Sequence, residues 1–141
     1  MLQQTKFESF PRSQIDLLVN QWLKHRQEVL VHYSQLSVSQ QNQTETLQEF
    51  CQILMDYVAT GHFKMFEKLA DCYSNSQSSS LELDGNLLKK ILLTTDVVLD
   101  FNDKYTNTEN LETLPFDLSH LGESLANRMD WEDEFIKVCL Q

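Results

Sequence analysis

Apolar residues recur along this chain at spacings of three and four, and over long stretches they mark one side of a helix. The first such segment runs from about Ser13 to Leu36. It sets Ile15, Leu18, Val19, Trp22, Val29, Tyr33 and Leu36 on one face, with Ser13 placed to cap its start just after Pro11. A polar run from Ser37 to Glu45 closes it. The second segment begins near Thr44 and carries Leu47, Phe50, Cys51, Leu54, Tyr57 and Val58 before Gly61, then resumes with Phe63, Phe66 and Leu69. The Ser-rich stretch from Ser74 to Ser80 reads as a mobile loop. A third segment, about Leu81 to Lys104, has a broad face of Leu87, Leu88, Ile91, Leu92, Thr95, Val98 and Leu99, with Asp96, Asp100 and Asp103 as an acidic row. After a connector from Thr106 to Pro115, the fourth segment turns Leu118, Leu121, Leu125, Met129, Ile136 and Cys139 inward. Only three glycines and two prolines interrupt these patterns. The expected fold is all-α: an antiparallel four-helix bundle with a break in the second helix near Gly61, forming one domain over residues 1–141.

The break is informative because a glycine inside a helix costs about 1 kcal/mol relative to alanine. Gly61 stands in the run Asp56-Tyr57-Val58-Ala59-Thr60-Gly61-His62-Phe63 and is followed by an aromatic cluster of His62, Phe63 and Phe66. A packing kink and a recognition patch both account for it. Two stripes also hold polar residues where apolar ones belong. His25 and Arg26 fill the gap between Trp22 and Val29, and Glu132 falls between Met129 and Ile136. Buried charges need partners. Arg26, with His25 beside it, is therefore expected to pair with Glu132 or Asp133 across the bundle as a structural polar core, the other reading being a solvated bundle end.

Charge narrows the class of partner. The chain of 141 residues has a net charge of −10. Residues 1–41 carry four positive and three negative charges, whereas residues 81–141 carry five positive and thirteen negative. Such a field repels phosphate backbones, so direct nucleic-acid binding is not expected and a basic partner is favoured. No stretch approaches the roughly 18 consecutive apolar residues of a membrane span, and the start, Met1-Leu2-Gln3-Gln4, has no signal-peptide pattern. Cys51, Cys72 and Cys139 are odd in number and form no Cys-x-x-Cys pair, which fits reduced thiols in a cytoplasmic protein.

Catalytic and metal patterns are missing. A di-iron bundle needs two Glu-x-x-His motifs, but residues 22, 29 and 59, three before His25, His32 and His62, are Trp, Val and Ala; only His120 follows a carboxylate, Asp117, at that spacing. Asp117 is better explained as a first-turn residue complementing the helix dipole. There is no phosphate loop, nucleophile elbow or His-Glu-x-x-His motif. The expectation is a protein with no cofactor and no enzymatic activity, with a metal-binding bundle kept as a lesser alternative.

Three ordered blocks carry a resemblance. They are Val19-Asn20-Gln21-Trp22-Leu23-Lys24-His25-Arg26, the run from Phe50-Cys51 through Asp56-Tyr57 to Gly61-His62-Phe63, and Leu121-Gly122-Glu123-Ser124-Leu125-Ala126-Asn127-Arg128 followed by Glu132-Asp133. Together they resemble the Rsd/AlgQ family of bacterial regulators of the housekeeping sigma factor. The departures lie in the Gln/Asn-rich and Ser-rich links and in a C-terminus, at Gln141, shorter than is usual for the family. The resemblance implies a helical, stationary-phase anti-sigma factor that binds region 4 of the primary sigma factor, a small basic domain with a helix-turn-helix. This would block its hold on RNA polymerase and its reading of the −35 promoter element. It also implies a sigma-binding site with Asp56 as the carboxylate facing an arginine, Tyr57, His62, Phe63 and Phe66 as contact area, and Glu67 as a further acidic contact. The alternative it leaves open is a cytoplasmic interaction module for a phosphotransfer or stringent-response protein.

Overall fold

The computed structural model describes residues 12–38, 43–61, 81–106 and 110–139. They form helix α1 (Arg12–Val38), α2 (Gln43–Thr60), α3 (Leu81–Thr106) and α4 (Leu114–Cys139). No strand occurs among the described residues. Contacts between the helices fix their directions. Trp22 stacks on Tyr57 while Tyr33 meets Phe50, so α1 and α2 run antiparallel. Thr94 meets Arg128 while Tyr105 meets Asp117, so α3 and α4 do too. Arg26 reaches Glu132 and Tyr33 reaches Leu118, which closes α4 back against α1. The architecture is an antiparallel four-helix bundle.

Each helix buries a seam whose members alternate three and four apart, the repeat that keeps one side of a helix facing its neighbours. In α2 the buried residues are Leu47, Phe50, Cys51, Leu54, Tyr57 and Val58. In α3 they are Leu87, Ile91, Thr94, Val98, Phe101 and Tyr105, a narrower and rotated stripe compared with the broad face expected from sequence; Leu99 is exposed. The α4 seam passes through Leu118, Leu121, Leu125, Arg128, Glu132 and Phe135. Its aliphatic members each contribute about 1.5–3 kcal/mol by leaving water. Phe50 joins the helices through an edge-on contact with Phe101, which in turn packs on Tyr105 at 4.7 Å between ring centres.

The helix ends differ slightly from expectation. Arg12 and Ser13 are both helical, so Ser13 lies within α1 and not at the cap position expected for it. α2 is α-helical through Thr60, and the next residue, Gly61, has π-helical geometry and is buried. The continuation through Phe63, Phe66 and Leu69, and the Ser74 to Ser80 loop, lie outside the described residues. At the start of α4, the Thr113 carbonyl accepts the first intrahelical bond from the Asp117 amide at 3.0 Å, and Pro115 sits in the first turn, where its missing N–H costs nothing. Tyr33 donates to the Leu118 carbonyl at 2.9 Å across a surface that only a glycine leaves open. A Cβ on Gly122 would lie 2.9 Å from Tyr33 Cζ and closer still to its hydroxyl. No described helix is long and apolar enough to cross a membrane.

Candidate partner-binding site

The charged residues on the outer face of α2 are all acidic. The helix contains no lysine, arginine or histidine, and its Glu45, Glu49 and Asp56 are all exposed, opposite the seam that enters the core. Asp56 accepts a hydrogen bond from Gln52 Nε2, one turn earlier, at 3.1 Å, and its carboxylate stands in solvent. Glu49 faces His32 of α1 at 4.0 Å. The end of α2 borders a shallow groove lined by Gln21, Lys24, His25, Glu28 and Thr60. His25 therefore lies in that groove and not in the polar core expected for it.

Immediately inside Asp56 the structure corrects one expectation. Tyr57, expected to offer contact area on the surface, is completely buried, because it belongs to the seam that also holds Leu54 and Val58. Its ring is stacked on Trp22 at 6.3 Å, and the Arg128 guanidinium lies 5.5 Å from its centre on the α4 side. Its hydroxyl donates to Glu132 Oε1 at 2.5 Å. His62, Phe63, Phe66 and Glu67, the other expected contact residues, lie outside the described residues.

Beneath α2 an ion network ties the four helices together. Glu132 has no exposed surface. Its Oε1 accepts from Tyr57 and from Arg26 Nη2 at 3.1 Å, and its Oε2 accepts from Arg128 Nε at 2.9 Å. Arg26 Nη1 donates to Asp133 at 2.8 Å, so the arginine meets both of the carboxylates named for it. Its guanidinium also lies over the Trp22 ring at 5.1 Å. Arg128 is equally withdrawn from solvent. Its Nη1 donates to Thr95 Oγ1 at 2.8 Å, Thr94 Oγ1 at 3.1 Å and the Ile91 carbonyl at 3.2 Å, which ties that end of the guanidinium to α3. Thr95 belongs to the face expected from sequence, whereas Thr94 and Arg128 are core residues that the sequence reading does not single out. The available signal was position: Arg128 sits three after Leu125 and four before Glu132, on the same seam.

Burial pushes the Glu132 carboxyl above the usual carboxylate range, against the pull of Arg128, the Tyr57 hydroxyl and Arg26. Burial, then the charge of Glu132, pushes the Tyr57 phenol well above its ordinary value. Cys51, buried in the core on the α2 seam, has its thiol pushed up by burial to about 11. Its neutral sulfur is a packing group and not a nucleophile at neutral pH. Among the described residues no three His, Cys, Asp or Glu side chains are grouped to hold a metal ion. The chemistry on offer is recognition by an acidic helix face mounted on a locked core.

Comparison with known proteins places this arrangement. A family model described as "Regulator of RNA polymerase sigma(70) subunit, Rsd/AlgQ" matches residues 1–140. The chain is 29% identical over 131 residues to "Regulator of sigma D" from Yersinia pseudotuberculosis serotype O:1b (strain IP 31758), covering 85% of this chain and 78% of that protein. It is 31% identical over 132 residues to "Regulator of sigma D" from Pectobacterium carotovorum subsp. carotovorum (strain PC1), covering 86% of each. No solved structure matches the chain.

Proposed function

The chain belongs to the Rsd/AlgQ family of regulators of the RNA polymerase sigma(70) subunit, and from that membership we propose that it is an anti-sigma factor acting on region 4 of the primary sigma factor. The observation that carries this reading is the exposed outer face of α2, on which every charged residue is acidic and Asp56 stands toward the C-terminal end, in a chain matched to the family almost end to end. Region 4 is basic because it reads DNA. A face without a single cation attracts it, and complementary charge accelerates encounter.

In this reading Asp56 pairs with an arginine of region 4, and His62, Phe63, Phe66 and Glu67 extend the contact. Tyr57 contributes from inside: its bond to Glu132 fixes the turn of α2 from which Asp56 projects. Occupying region 4 masks it from the −35 element and from the polymerase and lowers transcription by the housekeeping holoenzyme. The role is binding, with no reaction catalysed and no cofactor required.

Adding the purified chain to region 4 bound to fluorescent −35 promoter DNA tests the proposal. Release of the DNA in proportion to added protein, weakening as salt rises and screens the charges, is the expected result. DNA that stays bound at saturating protein contradicts it.

A further inference from the structure

The outer side of α1 carries a second, shorter seam. Asn20, Leu23, Gln27, Leu30 and Ser34 follow one another at alternating spacings of three and four on the side away from the core, and all are exposed, as is the neighbouring Val31. Leu23 is 37% exposed, Leu30 43% and Val31 41%. No charged residue interrupts this stripe, although the chain carries a net charge of −10. Solvated helix faces in so acidic a protein are expected to be charged, as those of α2 and α3 are.

The stripe reads the same in both directions about Gln27: polar, leucine, glutamine, leucine, polar. Self-complementarity of this kind is what a two-fold contact demands, since each residue must suit its own counterpart. With the axis near Gln27 and two α1 helices antiparallel, Leu23 of one copy meets Leu30 and Val31 of the other, and the two glutamine amides can bond each other. At the edge of the stripe Lys24 comes beside Glu28 of the second copy, so the bordering charges are opposite.

Charge also selects this face. α1 carries Arg12, Lys24 and Arg26 against Asp16 and Glu28, whereas α2, α3 and α4 each carry more acidic than basic residues. Two copies repel least through α1. We infer that the chain self-associates through the Leu23–Gln27–Leu30 face of α1 as a symmetric antiparallel dimer, independently of the reading that assigns Asp56 to a sigma factor.

Sedimentation equilibrium of the full chain over a wide concentration range tests this, with circular dichroism as the check on folding. The expected result is a concentration-dependent dimer. Leu30→Arg should weaken it at least about tenfold by burying an unpaired charge at the contact. Lys24→Glu alone should weaken it, and Lys24→Glu with Glu28→Lys should restore it, because the exchanged charges again face opposite ones. The charge pair leaves every core residue intact, so the test survives if the arginine variant misfolds. A monomer at every concentration overturns the inference, and so does a dimer indifferent to Lys24→Glu.

Discussion

Arg128 Nε donates to Glu132 Oε2 at 2.9 Å with both side chains fully withdrawn from solvent, one helical turn apart on α4. Taking either charge out of water costs several kcal/mol, and the pair recovers this only through the further bonds to Tyr57, Arg26 and the α3 threonines. Removing one partner strands the other. Arg128→Met is expected to lower the unfolding free energy by about 3–5 kcal/mol, measured by urea denaturation. Replacing Arg26, Arg128 and Glu132 together by apolar residues should cost less than Arg128→Met alone, since no buried charge is left unpaired. Equal stability of wild type and Arg128→Met would mean that the network does not hold the bundle.

Gly122 is expected to resist substitution despite lying in a helix. Alanine there gains about 1 kcal/mol in helix propensity, but its methyl group would enter the space of the Tyr33 ring, and overpacking costs about 1–3 kcal/mol. The net effect of Gly122→Ala should be a lower melting temperature. Because the hydroxyl is the nearest atom, Tyr33→Phe in the same chain should recover part of the loss, which thermal melts of the single and double variants will show.

A pH dependence follows from the start of α4. Lys104 Nζ bonds Asp117 at 2.7 Å, and the Tyr105 hydroxyl and Thr113 bond the same carboxylate oxygen. Lys104, then Tyr105, holds the Asp117 carboxyl below its ordinary value of 3.8. A carboxyl depressed in the folded state stabilises the protein above its unfolded pKa and loses that contribution as pH falls through the folded one. The stability difference between wild type and Asp117→Asn should therefore be constant near neutrality and shrink below about pH 4. Urea midpoints taken between pH 7 and pH 3 check this; a difference that grows on acidification would contradict it.

Much of the bundle is legible in the sequence, and the lapses have physical causes. The six residues expected inward on α2 are the six that are buried, because Gln48, Glu49, Gln52 and Asp56 mark the opposite side and fix the phase of the stripe, with Ile53 and Met55 at its flanks. On α3 the run of leucines, isoleucine, threonines and valines between Leu87 and Leu99 is apolar nearly all round, so its phase is ambiguous. Phe101 and Tyr105, further along, rotate the true seam toward Thr94. Arg128 escapes notice because charge usually marks a solvated face; only the continuity of the seam betrays it. The spacing puts Tyr57 on the core seam while the family resemblance puts it at the surface, and its burial and bond to Glu132 decide for the core. The acidic face of α2, by contrast, is written directly in its composition.

Calorimetric titration of isolated region 4 of the primary sigma factor into the intact chain, beside the Asp56→Lys variant, tests the central claim most directly. The account predicts saturable one-to-one binding, weakened by the substitution by about 2 kcal/mol or more, roughly thirtyfold, because a desolvated arginine would face a like charge. The melting temperature should change little, since Asp56 is exposed and bonds only Gln52 among the described residues. Equal affinity of the two proteins would remove Asp56 from the interface, and no heat of binding with either would contradict the assignment of region 4 as the target.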